Sequence, residues 1–447
     1  MAVATDLDIV RICRKHECDI PDDIPAFLDH IHPTVDVSED GLGMLYFEDE
    51  AMPSESDPYV SEQQGEPANE PVAHEEQEVD PNPQDEEDNM DQADDGDPDP
   101  RKEGAIALLD HQAGGITSLA YSSDGRLLAS GSDDAVVKIW SVRNRQLLRT
   151  CEGHTQPISS LAFSPNGREL VSGSEDGLAM VWTTSNGEKR LELADHTNDI
   201  YSVAYSPDGA IIATSSVDCT VRLWNARDGA PISVLRGHNA LVMVVAFSPN
   251  GQFLASASAD FTACVWHVRS GQEVSKLQGH SGVVYSLAFS PDSRRVVTAA
   301  EDGTARIWNA STGEELVTLR EHLGPVWAAV FSGDGRKVIT GASDGTAKVC
   351  DSFGGELLLS LETGDMLVNA VAFSSDGSRV CASAEDNSIR VWNTTTGEQL
   401  TTLTGHEDKI THLKFSPDGK RIVSSSDDGM LRLWDLEHMI IQPDTVL

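Results

Sequence analysis

The sequence predicts an all-β fold: an eight-bladed β-propeller of four-stranded blades, preceded by a largely disordered acidic N-terminal region. Three observations carry this. Seven of the eight tryptophans, Trp140, Trp182, Trp224, Trp266, Trp308, Trp392 and Trp434, stand on a comb whose teeth are 42 residues apart. An aspartate six residues before each tooth recurs eight times, as Asp134, Asp176, Asp218, Asp260, Asp302, Asp344, Asp386 and Asp428. Between the teeth, short apolar runs alternate with period two and are broken by turn clusters about every ten residues, which leaves little room for helix.

Residues 1–47 come first. They hold "CRKHECD" and then "HIH", bringing Cys13, His16, Cys18, His30 and His32 close in sequence. The spacing matches no standard zinc site, so no metal is assigned. The apolar clusters "IPAFLDHI" (24–31) and "GLGMLYF" (41–47) read as short docking motifs or as segments lying back on the repeat. Residues 48–103 form an acidic linker, in which positions 48–100 carry 21 Asp or Glu and no Lys or Arg. That composition offers too little apolar area to offset the entropy of ordering, so the segment is expected to be disordered.

The first 100 residues contribute 31 acidic and 3 basic side chains to a formal net charge of −41. Such a field repels nucleic-acid phosphate and anionic membranes and favours basic protein partners. No direct binding to nucleic acid or membrane is therefore expected. No apolar stretch is long enough to span a bilayer, and the N-terminus lacks a signal peptide's layout. Seven scattered cysteines suggest reduced thiols in the cytoplasm or nucleus. The sequons at Asn309 and Asn393 are then chance matches.

From 104 to 440 the chain is an array of eight 42-residue units, with 441–447 left as a tail. The second unit reads as four strands: "LLRT" leading in, then "ISSLAF", "ELVSGS" and "AMVW". A turn marker separates two of the runs in every unit, such as "SPNG" at 164–167, "SPDG" at 206–209 and "SGDG" at 332–335. A sheet this small cannot bury both faces alone, whereas eight packed face to face around an axis can. "AIALL" at 105–109 stands where it can supply the outer strand of the last blade.

These units resemble the WD-repeat family of β-propellers. Gly-His precedes the first strand at Gly153-His154, Gly237-His238, Gly279-His280 and Gly405-His406, and the last unit ends in Trp434-Asp435, the dipeptide that names the family. The resemblance implies that His, Ser or Thr, Asp and Trp link the strands within a blade. The sets are His154/Ser172/Asp176/Trp182, His196/Thr214/Asp218/Trp224, His238/Ser256/Asp260/Trp266, His280/Thr298/Asp302/Trp308 and His406/Ser424/Asp428/Trp434. The same residue types make hydrolase triads, but nucleophilic catalysis needs one accessible nucleophile beside an oxyanion hole, not five equally spaced copies. No enzyme and no cofactor are expected. The set has gaps: unit 1 has Gln112 with His111 one residue early, unit 6 keeps His322, Thr340 and Asp344 but has Cys350 for Trp, and unit 7 has Gly364 and Ala382. Blades 6 and 7 are therefore expected to be the least rigid.

Partner contacts fall to the rims and the central channel. The family resemblance points to the rim where each first strand begins. The second residue of that strand reads Thr117, Ser159, Tyr201, Met243, Tyr285, Trp327, Asn369 and Thr411, and two residues earlier blades 4 to 6 carry Leu241, Val283 and Pro325. Trp327, the eighth tryptophan, is read as an exposed anchor or as a side chain folded over the small Ala329. The residue before the turn Asp gives a second ring, acidic in blades 7, 8, 1 and 2 as Glu385, Asp427, Asp133 and Glu175. The rim is thus expected to have an aromatic half and an acidic half, complementary to peptides with apolar anchors and nearby Lys or Arg.

The function read from these features is a non-catalytic protein-interaction scaffold. Two alternatives stand beside it. One is a substrate receptor of a cullin-type ubiquitin ligase, for which "WSVR", "WNAR" and "WHVR" are relatives of a Trp-Asp-x-Arg docking motif that lack its Asp. The other is a histone- or chromatin-associated binder that uses the acidic segment.

Overall fold

The computed structural model describes residues 105–111, 114–364 and 367–437. The zinc-like cluster, the docking motifs, the acidic linker, Gln112 and the tail after 440 lie outside them.

Eight antiparallel sheets of four strands follow one another along the chain. Blade 1 runs from Ile116 to Cys151, blade 2 from Ile158 to Leu193, blade 3 from Ile200 to Arg236 and blade 4 from Val242 to Gln278. Blade 5 runs from Val284 to Leu319, blade 6 from Val326 to Glu362 and blade 7 from Val371 to Leu403. Blade 8 takes three strands from Ile410 to Asp435 and its outer strand from the other end of the repeat, Ala105–Asp110. That strand pairs with the third strand of blade 8 from Leu109↔Leu431 to Ala105↔Trp434, so "AIALL" closes the ring as its position suggested.

The core lies between blades. Ala129 and Ile139 of blade 1 pack with Ile158, Leu161 and Trp182 of blade 2, and Val423, Leu431 and Leu433 of blade 8 pack with Ile116, Leu119 and Trp140 of blade 1. Neighbouring blades approach closely: a Cβ on Gly131, in the second strand of blade 1, would lie 2.4 Å from Ile158 in the inner strand of blade 2. Two hydrogen bonds seal the last seam, Thr411 Oγ1 to the Ile116 carbonyl at 3.0 Å and Lys414 Nζ to the Leu119 carbonyl at 2.7 Å.

The turn marker explains itself locally. In "SPDG" the Ser206 hydroxyl donates to Asp208 at 2.6 Å, and Asp208 accepts the Ala210 N–H at 3.0 Å. Gly209 follows with φ +71°, and a Cβ there would meet Pro165 of the preceding blade at 3.3 Å. The glycine therefore serves a left-handed turn and a close approach between blades.

The turns between first and second strands, and between third and fourth, share one end of the ring. The loops carrying the network His and the turn Asp share the other end, which is called the mouth below.

Candidate functional site

The mouth is built by the repeated network. In blade 2, Trp182 Nε1 donates to Ser172 Oγ at 2.7 Å, Ser172 Oγ lies 2.7 Å from His154 Nε2, and His154 Nδ1 lies 2.9 Å from Asp176. One direction of donation satisfies every member: Trp to Ser, Ser to His, His to Asp. The other oxygen of Asp176 accepts the Leu178 N–H at 3.0 Å, so one carboxylate ties its own turn to the loop before the inner strand. The chain recurs in blades 3, 4, 5 and 8 with Trp224, Trp266, Trp308 and Trp434 donating to Thr214, Ser256, Thr298 and Ser424 at 2.8–2.9 Å. His196, His238, His280 and His406 reach Asp218, Asp260, Asp302 and Asp428 at 2.7–3.0 Å. The five hydroxyls are sealed from solvent and already occupied, so none is placed as a nucleophile.

Burial alone would raise the pKa of Asp260, but hydrogen bonds from His238, Thr262 and the Asn239 N–H outweigh it and hold the carboxyl at about 2. Asp176, Asp218, Asp302 and Asp428 are held low by the same balance. Burial lowers the pKa of His322 and His406 more than their aspartates raise it. Burial also pushes the Cys151 and Cys219 thiols up to about 11, and those of Cys264 and Cys350 to about 12. All five described cysteines are free.

The gaps in the pattern have local consequences. In blade 6 His322 still reaches Thr340 at 2.7 Å and Asp344 at 3.0 Å, but Cys350 donates nothing in place of a Trp. In blade 1 Trp140 donates to Ser130 at 2.9 Å, while the displaced His111 sits 3.7 Å from Asp134. In blade 7, without a His, Asp386 turns outward towards Arg390 at 3.4 Å. The inner strand there is only Val371–Phe373.

The expected row of rim anchors is corrected. Met243, Tyr285 and Trp327 are only 5, 5 and 4% exposed, Leu241 and Val283 are buried, and Tyr201 and Pro325 are partly buried. The cause is a β-bulge that alternation could not show. In every blade except blade 7 the register slips at the second residue of the inner strand, as between Val326 and Ala328. Trp327 is the unpaired residue of its bulge, so the alternation that would set it over Ala329 does not reach it. It stacks instead on Tyr285 of the preceding blade, centroids 4.6 Å apart and planes 15° apart. Its Nε1 is buried and meets no acceptor among the described residues.

The other half of this ring has different chemistry at the same position. Thr117 and Ser159 donate to the carbonyls of Ile158 and Ile200, Asn369 Nδ2 donates to that of Ile410 at 3.2 Å, and Thr411 to that of Ile116. The bulge residues of blades 8, 1 and 2, and Asn369 at the equivalent position of blade 7, thus stitch each blade to the next by hydrogen bonds, and Tyr285 and Trp327 join blades 5 and 6 by stacking. Reading these four residues as merely small and polar missed the stitch, although three of them share a 41-residue offset to their acceptors and the fourth bonds across the ring closure.

The acidic half remains open. Asp133 and Glu385 are exposed, and Glu175 and Asp427 are partly exposed. Asp133 and Asp427 flank Gly115 from either side of the seam between blades 8 and 1, with a Cβ there 3.4 and 3.2 Å from their carboxylate oxygens. On the opposite side, Glu301 accepts the Val283 N–H at 3.2 Å, and burial raises its pKa. Among the described residues no cluster of His, Cys, Asp or Glu could hold a metal, and no helix is long and apolar enough to cross a membrane.

Known proteins resemble the chain on this frame. Residues 199–366 match the IFT122 first beta-propeller, 105–282 the second beta-propeller of echinoderm microtubule-associated protein, and 355–393 and 397–435 the WD domain, G-beta repeat. Over 43 residues the chain is 40% identical to the general transcriptional corepressor TUP1 of Saccharomyces cerevisiae, covering 10% of this chain and 6% of that one. Over 61 residues it is 43% identical to the ribosome biogenesis protein ENP2 of Chaetomium thermophilum, covering 13% and 9%. Over 45 residues it is 44% identical to the WD repeat-containing protein SL1-17 of Schistosoma mansoni, covering 10% and 15%. The matched stretches therefore span only a small part of those relatives. The computationally designed Ika8 protein is similar throughout the ring, with 32% identity, a TM-score of 0.67, and coverage of 74% of this chain and 99% of its own. With eight blades in register, a His–Ser/Thr–Asp–Trp network and these matches, the chain belongs to the WD-repeat β-propeller family.

Proposed function

We propose that this propeller is a non-catalytic scaffold whose mouth holds a basic segment of a partner protein against the acidic arc of Glu385, Asp427, Asp133 and Glu175. The observation that carries the reading is the contrast around one ring. Four carboxylates in consecutive blades stay at the surface, while the aromatic side chains opposite them are turned inward. Lys and Arg of a partner would meet the arc, and Tyr201 and Pro325 are the members of the apolar half with area left for contact. The site needs no cofactor, and the reading places the protein in the cytoplasm or nucleus.

Affinity purification of the full chain beside an Asp133→Asn/Glu175→Gln/Glu385→Gln/Asp427→Asn variant tests this. Partners should be lost from the variant and should elute from the wild type at lower salt than apolar contacts require. An unchanged partner set would refute the arc.

A chromatin-associated role is the second reading, favoured by the likeness to a transcriptional corepressor over one repeat. It assigns the contact to the acidic segment rather than to the mouth. Deleting 48–100 should then abolish salt-sensitive histone binding, and binding that survives the deletion at low salt excludes it.

A further inference from the structure

The repeat supplies its own control. What the fold requires at a position is shown by the other blades, so an apolar residue that stands exposed in one blade alone is not there for folding. Blade 6 departs in this way more than once. The residue after the network His is Thr155, Thr197, Asn239, Ser281 or Glu407 elsewhere and Leu323 here, 95% exposed. In the turn before the outer strand, Arg143, Ser185, Arg227, Arg269, Ser311 and Thr395 correspond to Phe353, 67% exposed. The outer strand opens with Leu357, 37% exposed; Leu358 beside it, 41% exposed, is no departure, because Ile232 and Leu316 stand at its position in blades 3 and 5, 47 and 45% exposed. At the Leu357 position blade 1 has Leu147, while blades 2 to 5 and 7 have Lys189, Pro231, Glu273, Glu315 and Gln399.

Phe353 is held in place. Arg295 of blade 5 lies over its ring at 4.1 Å and over Phe331 at 5.2 Å. The guanidinium is fixed by donating to the Ser352 carbonyl at 2.8 Å, the Ser352 hydroxyl at 2.9 Å and the Gly335 carbonyl at 2.7 Å. One face of the phenyl ring is therefore clamped from below, and the exposed remainder is preorganised for contact.

Beside it lies an open edge. The outer strand Leu357–Glu362 pairs only with Thr346–Asp351, so its other edge has no neighbour in the sheet. Outer strands of blades 1 to 4 carry Arg149, Lys189, Pro231 and Lys276, residue types that blunt an edge against further pairing. Leu357–Glu362 has no Lys, Arg or Pro, as is also true of Glu315–Leu319 and Gln399–Leu403 in blades 5 and 7, but of the three it alone opens on a Leu and follows an exposed Phe353. Exposed carboxylates bracket it: Glu356 and Glu362 at its ends, and Glu314 and Glu398 at the Glu356 position of blades 5 and 7. Glu356 and Glu362 are six strand steps apart, about 20 Å.

We propose that the outer edge of blade 6 is a second docking surface, distinct from the mouth, which takes an extended partner segment as a fifth strand. The open main-chain groups give the pairing, and Phe353, Leu357 and Leu358 receive alternate apolar side chains. The carboxylates select Lys or Arg about six residues apart at the two ends of the added strand.

The test selects a displayed library of random 12-residue peptides on the full chain. It then measures the enriched peptides by fluorescence anisotropy on wild type, on Phe353→Ser/Leu357→Gln and on the four-carboxylate mouth variant. Ser and Gln already occupy these positions in blades 5 and 7, so the fold is expected to survive, with melting temperature as the check. The expected peptides alternate apolar residues between Lys or Arg. Binding should weaken roughly tenfold or more in the edge variant, disappear with a central Pro, and stay unchanged in the mouth variant. Three results overturn the proposal: no enrichment, equal binding to the edge variant, or self-association of the wild type that the edge variant abolishes while peptide binding is absent. The third would show the edge to be a contact between copies of this chain.

Discussion

Trp327 stacks on Tyr285 and is nearly inaccessible, so Trp327→Ala removes packed area and leaves a cavity between blades 5 and 6. A loss of about 3–5 kcal/mol is expected in urea unfolding, and a variant within about 0.5 kcal/mol of wild type would contradict the packing role. A partner lost from this variant would therefore report a disturbed ring rather than a missing anchor. In the polar half, Ser159→Ala deletes the hydroxyl that bonds the Ile200 carbonyl and should cost about 1 kcal/mol, measured in the same way. The sequence put Tyr201, Met243, Tyr285 and Trp327 on one line correctly, because equal spacing in a repeat means equivalent position. It misjudged their direction, because a bulge is a property of pairing between two strands and leaves no mark in the alternation of one. The carboxylates of the second ring were read as an acidic set, and Asp133 and Glu385 are exposed and Glu175 and Asp427 partly so.

At the scale of one blade, the network behaves as a titrating unit. Its aspartates have lowered pKa values, so the unfolded chain binds more protons than the folded one between about 4 and the folded value, about 2 for Asp260. Their stabilisation is complete above that window and is lost as pH falls through it. His322 and His406 also have lowered values, so their contribution is present above about 6.5 and fades on acidification below that. Melting temperature should therefore fall in two stages from pH 7, and His406→Gln should flatten the first stage. A profile level from pH 7 to pH 5 would contradict the histidine assignment. The network itself was legible because its four residue types recur at fixed spacing. Its failure in blade 7 was legible from Gly364 and Ala382, whereas the three-residue inner strand was not. Hydrogen exchange should find blade 7 the least protected, then blade 6, and protection equal to blades 3 to 5 would reject the ranking.

At the scale of the whole molecule, blade number followed from counting units, and closure followed from a short apolar run placed before the first of them. The preference for one outer edge over another did not follow: Phe353 stands where neighbouring units have Ser311 and Thr395, but whether such a side chain lies at the surface is something a sequence does not print. Closure also has a consequence in time. The outer strand of blade 8 pairs Ala105 with Trp434 and Asp110 with Met430, so about 320 residues separate the partners. A ribosome adding roughly 5–20 residues per second makes the first partner some 15–60 s before the second. For that interval a β-forming segment has emerged with its intended neighbour still unmade, the condition under which nascent strands find the wrong partner. The run of 21 acidic residues at 48–100 lies just upstream of it in the chain. Like-charge repulsion between nascent chains on one polysome would keep two such waiting strands apart, so replacing those carboxylates by amides should lower the soluble yield more than the melting temperature of what folds.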